Sequence, residues 1–198
     1  EAGRGGGARS EDKRCGRIDM AYLCSLAERL LSREDLQNRL LWFPNSTLYP
    51  VQERLRYVES RQKNKARTHH LVGVDRSAYL EKILATAEKG AGLDELARSI
   101  TDDEVPYEDA IAFVRELVKE QVLLSELEPS VSGPDYFEVL IETLKNRAPE
   151  SARTLQEIND ELYALRQAPL GVDKSRYAAL SEILKKENSE VEEKFFFR

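Results

Sequence analysis

The sequence predicts a mixed α+β fold, in which a three-stranded antiparallel sheet packs with three helices and further helices flank the unit. Apolar residues recur at helical spacing along most of the 198 residues. Between positions 47 and 74 that period gives way to alternation and to β-forming residues. The chain is 41% hydrophobic and 33% charged, enough to fill a core beneath a heavily solvated surface.

Each element has its own signal. Asp19 is placed to cap a helix with apolar residues at Leu23, Leu26, Ala27, Leu30 and Leu31. Ser32 and Asp35 have the form of a capping box opening a short second helix through Leu36, Leu40 and Leu41, which Pro44 ends. Three short strands are expected next, at 47–51, 55–58 and 68–74, with turns at Gln52-Glu53 and at 64–66. Ser77 caps the helix carrying Leu80, Ile83, Leu84 and Ala87, and Gly90 suits its left-handed exit. A two-turn helix follows with Leu93, Leu96, Ala97 and Ile100. Pro106 sits at the first turn of a third, lined by Ala110, Val114, Leu117, Val118 and Gln121, with Ile111 and Phe113 flanking. Three strands followed by three helices, the middle one short, describe a winged-helix-like unit. Beyond Gly133-Pro134, Phe137, Leu140, Ile141 and Leu144 mark a helix. Leu155, Ile158, Leu162 and Leu165 mark a longer one that contacts a neighbour. Ser175 opens a last helix through Tyr177, Leu180, Ile183 and Leu184.

The expected organisation is a flexible N-terminus with flanking helices over 1–44, the winged-helix-like element over 45–128, and a helical segment over 129–198. Residues 1–13 are Gly-rich and polar and form no packed element. The closing EKFFFR reads as a strand, either cut off from its sheet or buried against neighbouring elements. No apolar run approaches the ~18–20 residues of a membrane span. Cys15 and Cys24 are too few for a disulfide framework or a zinc site and read as reduced thiols, as in the cytosol.

No catalytic constellation is visible. His69 and His70, the two histidines, are adjacent on a strand and point to opposite faces, so they cannot share a metal. There is no Gly-rich phosphate loop, HExxH or GxSxG. Carboxylates sit beside Lys and Arg on helix faces. The net charge of −6 speaks against non-specific nucleic-acid binding. The third helix carries Glu108, Asp109, Glu116 and Glu120 against Arg115 and Lys119, a poor surface for DNA phosphates. The same architecture offers a strand edge beside a helix, which takes an extended peptide by β-augmentation. Between Arg54 and Arg76, seven bases face two acids. This stretch reads either as a solvated strand pair or as a contact for an acidic peptide or an RNA backbone, through Arg54, Arg56, Arg61, Lys63, Lys65 and Arg67.

Five phrases, in order, carry a family resemblance: GRIDMAYLCSLAERL, NSTLYPVQERLRYVE, THHLVGVDRSAYLEKIL, AIAFVRELVKEQVLLSELEPSVSG and SRYAALSEILKKENSEVEEKFFFR. Together they resemble the lantibiotic (class I lanthipeptide) dehydratases, and specifically the part of the N-terminal glutamylation region that contains a winged-helix leader-recognition element. The resemblance implies a parent enzyme that glutamylates Ser and Thr of a ribosomal precursor peptide from glutamyl-tRNA. Elimination of glutamate then leaves dehydroalanine or dehydrobutyrine. It also implies that this chain holds the peptide's leader and is itself non-catalytic. The family's RTTPFG-like arginine motif has no counterpart here and would lie before Glu1, with the elimination domain after Arg198. Asp19 resembles an acidic family position near the glutamylation site, and equally suits a helix cap.

Under this reading the fragment binds no cofactor, and its partners are the leader peptide, glutamyl-tRNA as the parent's co-substrate, and the rest of the dehydratase. The leader would add along 68–74 against the helix at 106–121. Val72 and Val74, which share a face, would contribute from the strand. Ile111, Val114, Arg115 and Val118 would contribute from the helix. A free-standing winged-helix regulator or interaction scaffold is the rival class. A reading frame continuing past Phe197 into a long dehydratase separates the two.

Overall fold

The structure, a computed structural model, describes residues 16–63, 66–129, 133–167, 174–189, 191–192 and 196–197, with backbone alone at 62–63, 66–67 and 174. In chain order the elements are α1 (Met20–Leu31), α2 (Glu34–Gln37), β1 (Trp42–Pro44), β2 (Tyr49–Val51), β3 (Arg54–Lys63), β4 (Ala66–Asp75), α3 (Ala78–Ala87), α4 (Leu93–Ile100), α5 (Tyr107–Lys119), β5 (Leu123–Ser125), α6 (Tyr136–Arg147), α7 (Pro149–Gln167) and α8 (Lys174–Glu187). They fall into two compact units. One comprises residues 1–29 and 131–198, the other residues 30–130.

The continuous unit holds the expected sheet and three helices. β2, β3 and β4 form an antiparallel sheet in that order. The central hairpin is longer than the pattern indicated, with β3 and β4 ten residues each. Charged and polar side chains along 59–69 hid its outer half. Ser77 caps α3, its Oγ accepting from Leu80 N–H at 3.1 Å. The predicted apolar positions of α3, α4 and α5 are buried at Leu80, Ile83, Ala87, Leu93, Leu96, Ala97, Ile100, Ala110, Val114 and Leu117. Pro106 is the residue just before the first turn of α5, with extended backbone. Gly90 has φ +84°, and a Cβ there would lie 2.5 Å from Cζ of Phe43. Both backbone conformation and space therefore require glycine.

Two sequence expectations need correction in this unit. The second helix does not run through Leu41, and no capping box opens it. α2 ends at Gln37, Arg33 rather than Ser32 occupies the cap position and makes no side-chain capping bond, and Arg33 Nη2 instead donates to the Asp35 carboxylate at 2.9 Å. Leu36 and Leu40 are nonetheless both buried, because one further turn carries Leu40 N–H to Leu36 C=O at 3.1 Å. The chain then extends as β1, which pairs antiparallel with β5. Trp42 also exchanges backbone bonds with Ala91, between α3 and α4.

The other unit joins the two ends of the chain. The predicted apolar residues of α6 and α7 are buried along their shared interface. Asp135 caps α6, its Oδ1 accepting from Phe137 N–H at 2.9 Å. Three residues one helical turn or so apart on α1 secure the C-terminal end of α8. The Tyr22 hydroxyl donates to Leu184 C=O at 2.8 Å, Ser25 Oγ accepts from Asn188 Nδ2 at 2.9 Å, and Arg29 donates to Glu187 C=O. The Arg29 bond goes to one of the last carbonyls of the helix, which a helix end leaves without an intrahelical partner, and Leu184 C=O also accepts from Asn188 N–H at 2.8 Å. Burial pushes the Tyr22 hydroxyl pKa well above its usual range. Phe196 is fully buried, packs edge-on against Tyr22 at 5.4 Å, and flanks an antiparallel bridge between Ile18 and Phe197. Ile183, expected inside α8, is 37% exposed. Residues 1–13, Cys15, the turn at 64–65 and Phe195 lie outside the described residues.

Candidate functional site

The β3–β4 register sorts the hairpin into two faces. Leu55 lies opposite Val74, Tyr57 opposite Val72, and Glu59 opposite His70. Leu55, Tyr57 and Glu59 are buried, so Val72 and Val74, both half-buried, share the inner face. Leu71 is 57% exposed on the other face, opposite Val58. Strand alternation makes this division unavoidable.

The edges of the sheet differ. β2 is three residues long and covers β3 only from Arg54 to Arg56. Pro50, which lacks an N–H, falls opposite Leu55, where the ladder requires no donor. On the far side β4 is an edge strand. Since Val58 and Ser60 aim their peptide groups toward the β2 side, Tyr57 and Glu59 aim theirs at β4. The alternation of an antiparallel ladder then turns the peptide groups of His69, Leu71 and Gly73 outward. Gly73 C=O accepts from Arg54 Nη2 at 3.2 Å.

The end of α5 is tied to the central strand. The Tyr57 hydroxyl donates to Glu120 C=O at 2.6 Å. Burial, and then the charges of Glu120 and Glu59, raise the Tyr57 pKa. This bond brings Val72, the cross-strand partner of Tyr57, within one strand of the α5 terminus. Of the helix residues singled out from sequence, Ile111 and Val118 are half-buried and Arg115 is exposed between them on the same stripe. Arg115 Nη1 lies 3.8 Å from Glu34 of α2. Val114 is completely buried and belongs to the core between α5 and its neighbours.

The basic stretch is divided by the same alternation. Arg54 and Arg56 project from the outer face, Arg54 paired with Asp75 at 2.7 Å. Arg61 projects from the inner face, paired with Glu59 at 2.7 Å. Lys63 and Arg67 are described by backbone alone, in register with Ala66 and Gln62 toward the hairpin's far end. Lys65 lies outside the described residues. The hydrogen bond from Arg61 holds the buried Glu59 carboxyl below its usual pKa, against the effect of burial. Asp19 has the geometry of a helix cap, with Oδ1 accepting from Ala21 N–H at 2.7 Å and its C=O from Leu23 N–H at 3.2 Å. No group of three or more His, Cys, Asp or Glu residues among those described is arranged to hold a metal. No described helix is long and apolar enough to cross a membrane.

Sequence reasoning missed the residues that organise this site. Asn45 is 4% exposed. Its Nδ2 donates to Val58 C=O at 3.2 Å and to Gln121 C=O at 2.9 Å. Its Oδ1 accepts from Thr47 N–H at 3.0 Å and from Thr47 Oγ1 at 2.7 Å. Its own N–H donates to Val122 C=O at 2.9 Å. One side chain thus joins β3, the exit of α5 and the turn before β2. The available signal was an Asn-Ser-Thr run directly after a proline, a favoured setting for side-chain bonds to nearby backbone.

Two solved structures share this fold. The tRNA-dependent lantibiotic dehydratase MibB from Microbispora sp. 107891 superposes with a TM-score of 0.66 at 18% identity, over 87% of this chain and 18% of MibB. The glutamylation domain TbtB from thiomuracin biosynthesis, bound to 5'-phosphodesmethylglutamycin, superposes at 0.56 with 17% identity, over 87% of this chain and 20% of TbtB. The chain thus spans about a fifth of either protein. No curated protein matches it. The profile described as "Lantibiotic dehydratase, N terminus" matches residues 2–194, nearly the whole chain, and the chain belongs to that family.

Proposed function

We propose that this chain is the leader-binding portion of a lantibiotic dehydratase's glutamylation region. A precursor peptide's leader adds as a strand along β4, so that Ser and Thr elsewhere in the peptide are glutamylated from glutamyl-tRNA and then dehydrated. The open β4 edge carries this reading, with Val72 and Val74 beside it on the sheet's inner face. Backbone bonds to the outward peptide groups of His69, Leu71 and Gly73 supply affinity, and alternate leader side chains fill the space between Val72 and Val118. The winged-helix description fits the order of three strands and three helices from β2 to α5. The basic side chains fit two roles. Arg61 lies on the inner face, where an acidic leader would run. Arg54 and Arg56 lie on the outer face, which an RNA backbone would approach.

The test is titration of a fluorescently labelled leader from the precursor gene beside this one. Val72→Ala and Val118→Ala should each weaken binding by roughly 1–2 kcal/mol without loss of helical signal. Arg115→Ala should weaken it more at low salt than at high salt. Folded variants that bind the leader as wild type does would place the groove elsewhere.

A further inference from the structure

We propose that Gln121 acts as a side-chain substitute for a missing strand, closing the stretch of β3 that β2 is too short to cover against a second copy of this chain. Three observations carry this.

The first is the pattern of bonds. Past Arg56, β3 has no strand neighbour on its β2 side among the described residues. Its inward-facing partner groups there are nevertheless satisfied. Val58 N–H donates to Thr47 Oγ1 at 2.9 Å, and Val58 C=O accepts from Asn45 Nδ2 at 3.2 Å. Ser60 N–H donates to Gln121 Oε1 at 2.8 Å, and Ser60 C=O accepts from Gln121 Nε2 at 2.7 Å. A primary amide sets an acceptor beside a donor as a peptide group does. Gln121 therefore makes with Ser60 the reciprocal pair of bonds that a residue of an added strand would make.

The second is backbone strain. Gln121 has φ +58° at the exit of α5, a position where helices favour glycine. A glutamine held there against that preference points to a use for its side chain.

The third is the partner's anchoring. Asn45 Nδ2 also donates to Gln121 C=O, and Gln121 N–H donates to Val118 C=O at 3.0 Å. The amide is thereby aimed from a fixed backbone.

An uncovered row of peptide groups is a template for pairing with another chain. With β3 closed, β4 is the strand-accepting edge of this sheet among the described residues. That last consequence rests on the leader-binding reading, whereas the closure itself does not.

Two variants test the closure. Gln121→Gly removes the amide and relieves the backbone. Gln121→Asn tolerates the same backbone but carries an amide one methylene short of Ser60. Both should keep wild-type circular dichroism, and the thermal midpoint of Gln121→Gly should be no lower than wild type. Exchange of the Ser60 amide hydrogen should accelerate at least tenfold in both, and sedimentation velocity should show concentration-dependent association beyond that of wild type. Unchanged Ser60 exchange would overturn the proposal, and so would faster exchange with wild-type sedimentation. Neither measurement uses a leader, so a failure of leader binding leaves this test readable.

Discussion

Single residues decide more here than their surface area indicates. Asn45 gathers donors and acceptors from three segments in a buried position, where an unmatched polar group costs about 1–3 kcal/mol. Asn45→Ala should lower stability by roughly 2–4 kcal/mol, read as a fall in the urea midpoint. Asn45→Asp turns a donor into an acceptor facing the carbonyls of Val58 and Gln121. It should be at least as damaging at neutral pH and partly relieved in acid, and an Asp variant as stable as wild type would refute the hub role. Glu59 makes a prediction of opposite sense. Its folded pKa lies below the ordinary 4.5, so its contribution is present above that value and fades as the pH falls through the folded pKa. Glu59→Gln should cost under about 1 kcal/mol at pH 7, because Arg61 is largely exposed. The gap between variant and wild type should narrow as urea titrations move from about pH 6 to about pH 3.

At the scale of elements, Gly90 shows how an α3 exit and a β1 side chain depend on each other. Gly90→Ala should cost about 2–4 kcal/mol, from the positive φ together with collision with the Phe43 ring. Combining it with Phe43→Leu should recover the collision part alone, and a double-mutant cycle of denaturation midpoints reads that coupling. The helices of this unit were legible because stripes such as Leu93, Leu96, Ala97 and Ile100 repeat over two turns or more. The hairpin was legible at Leu55 to Val58 and at Leu71 to Val74, where apolar residues mark the faces. β1 and β5 were not, since three residues are too few to establish a period and their pairing spans about eighty positions. In the candidate site, alternation alone put Val72 and Val74 on one face and Leu71 on the other. The burial of Val114 depends on which neighbours pack around α5. The bond between Gln121 and Ser60 depends on a left-handed glutamine. Neither leaves a local trace in the sequence.

For the molecule as a whole, the division of the chain matters more than its length. Residues 30–130 form one unbroken unit, whereas the other unit is assembled from residues before 30 and after 130. Residues 30–130 expressed alone should therefore unfold in a single cooperative urea transition, while residues 131–198 alone should not. A broad, non-cooperative transition for the first fragment would refute its autonomy. The bonds from Tyr22, Ser25 and Arg29 to the end of α8 impose a timetable on synthesis. On a ribosome moving at roughly 5–20 residues per second, the continuous unit is complete several seconds before Asn188 and Phe196 emerge. Until Leu184 and Phe196 emerge, the Tyr22 hydroxyl and ring lack the partners they have in the folded chain. A nascent chain in this window is the species on which a chaperone would act, and for Tyr22 the wait ends when Phe196 arrives to pack against its ring.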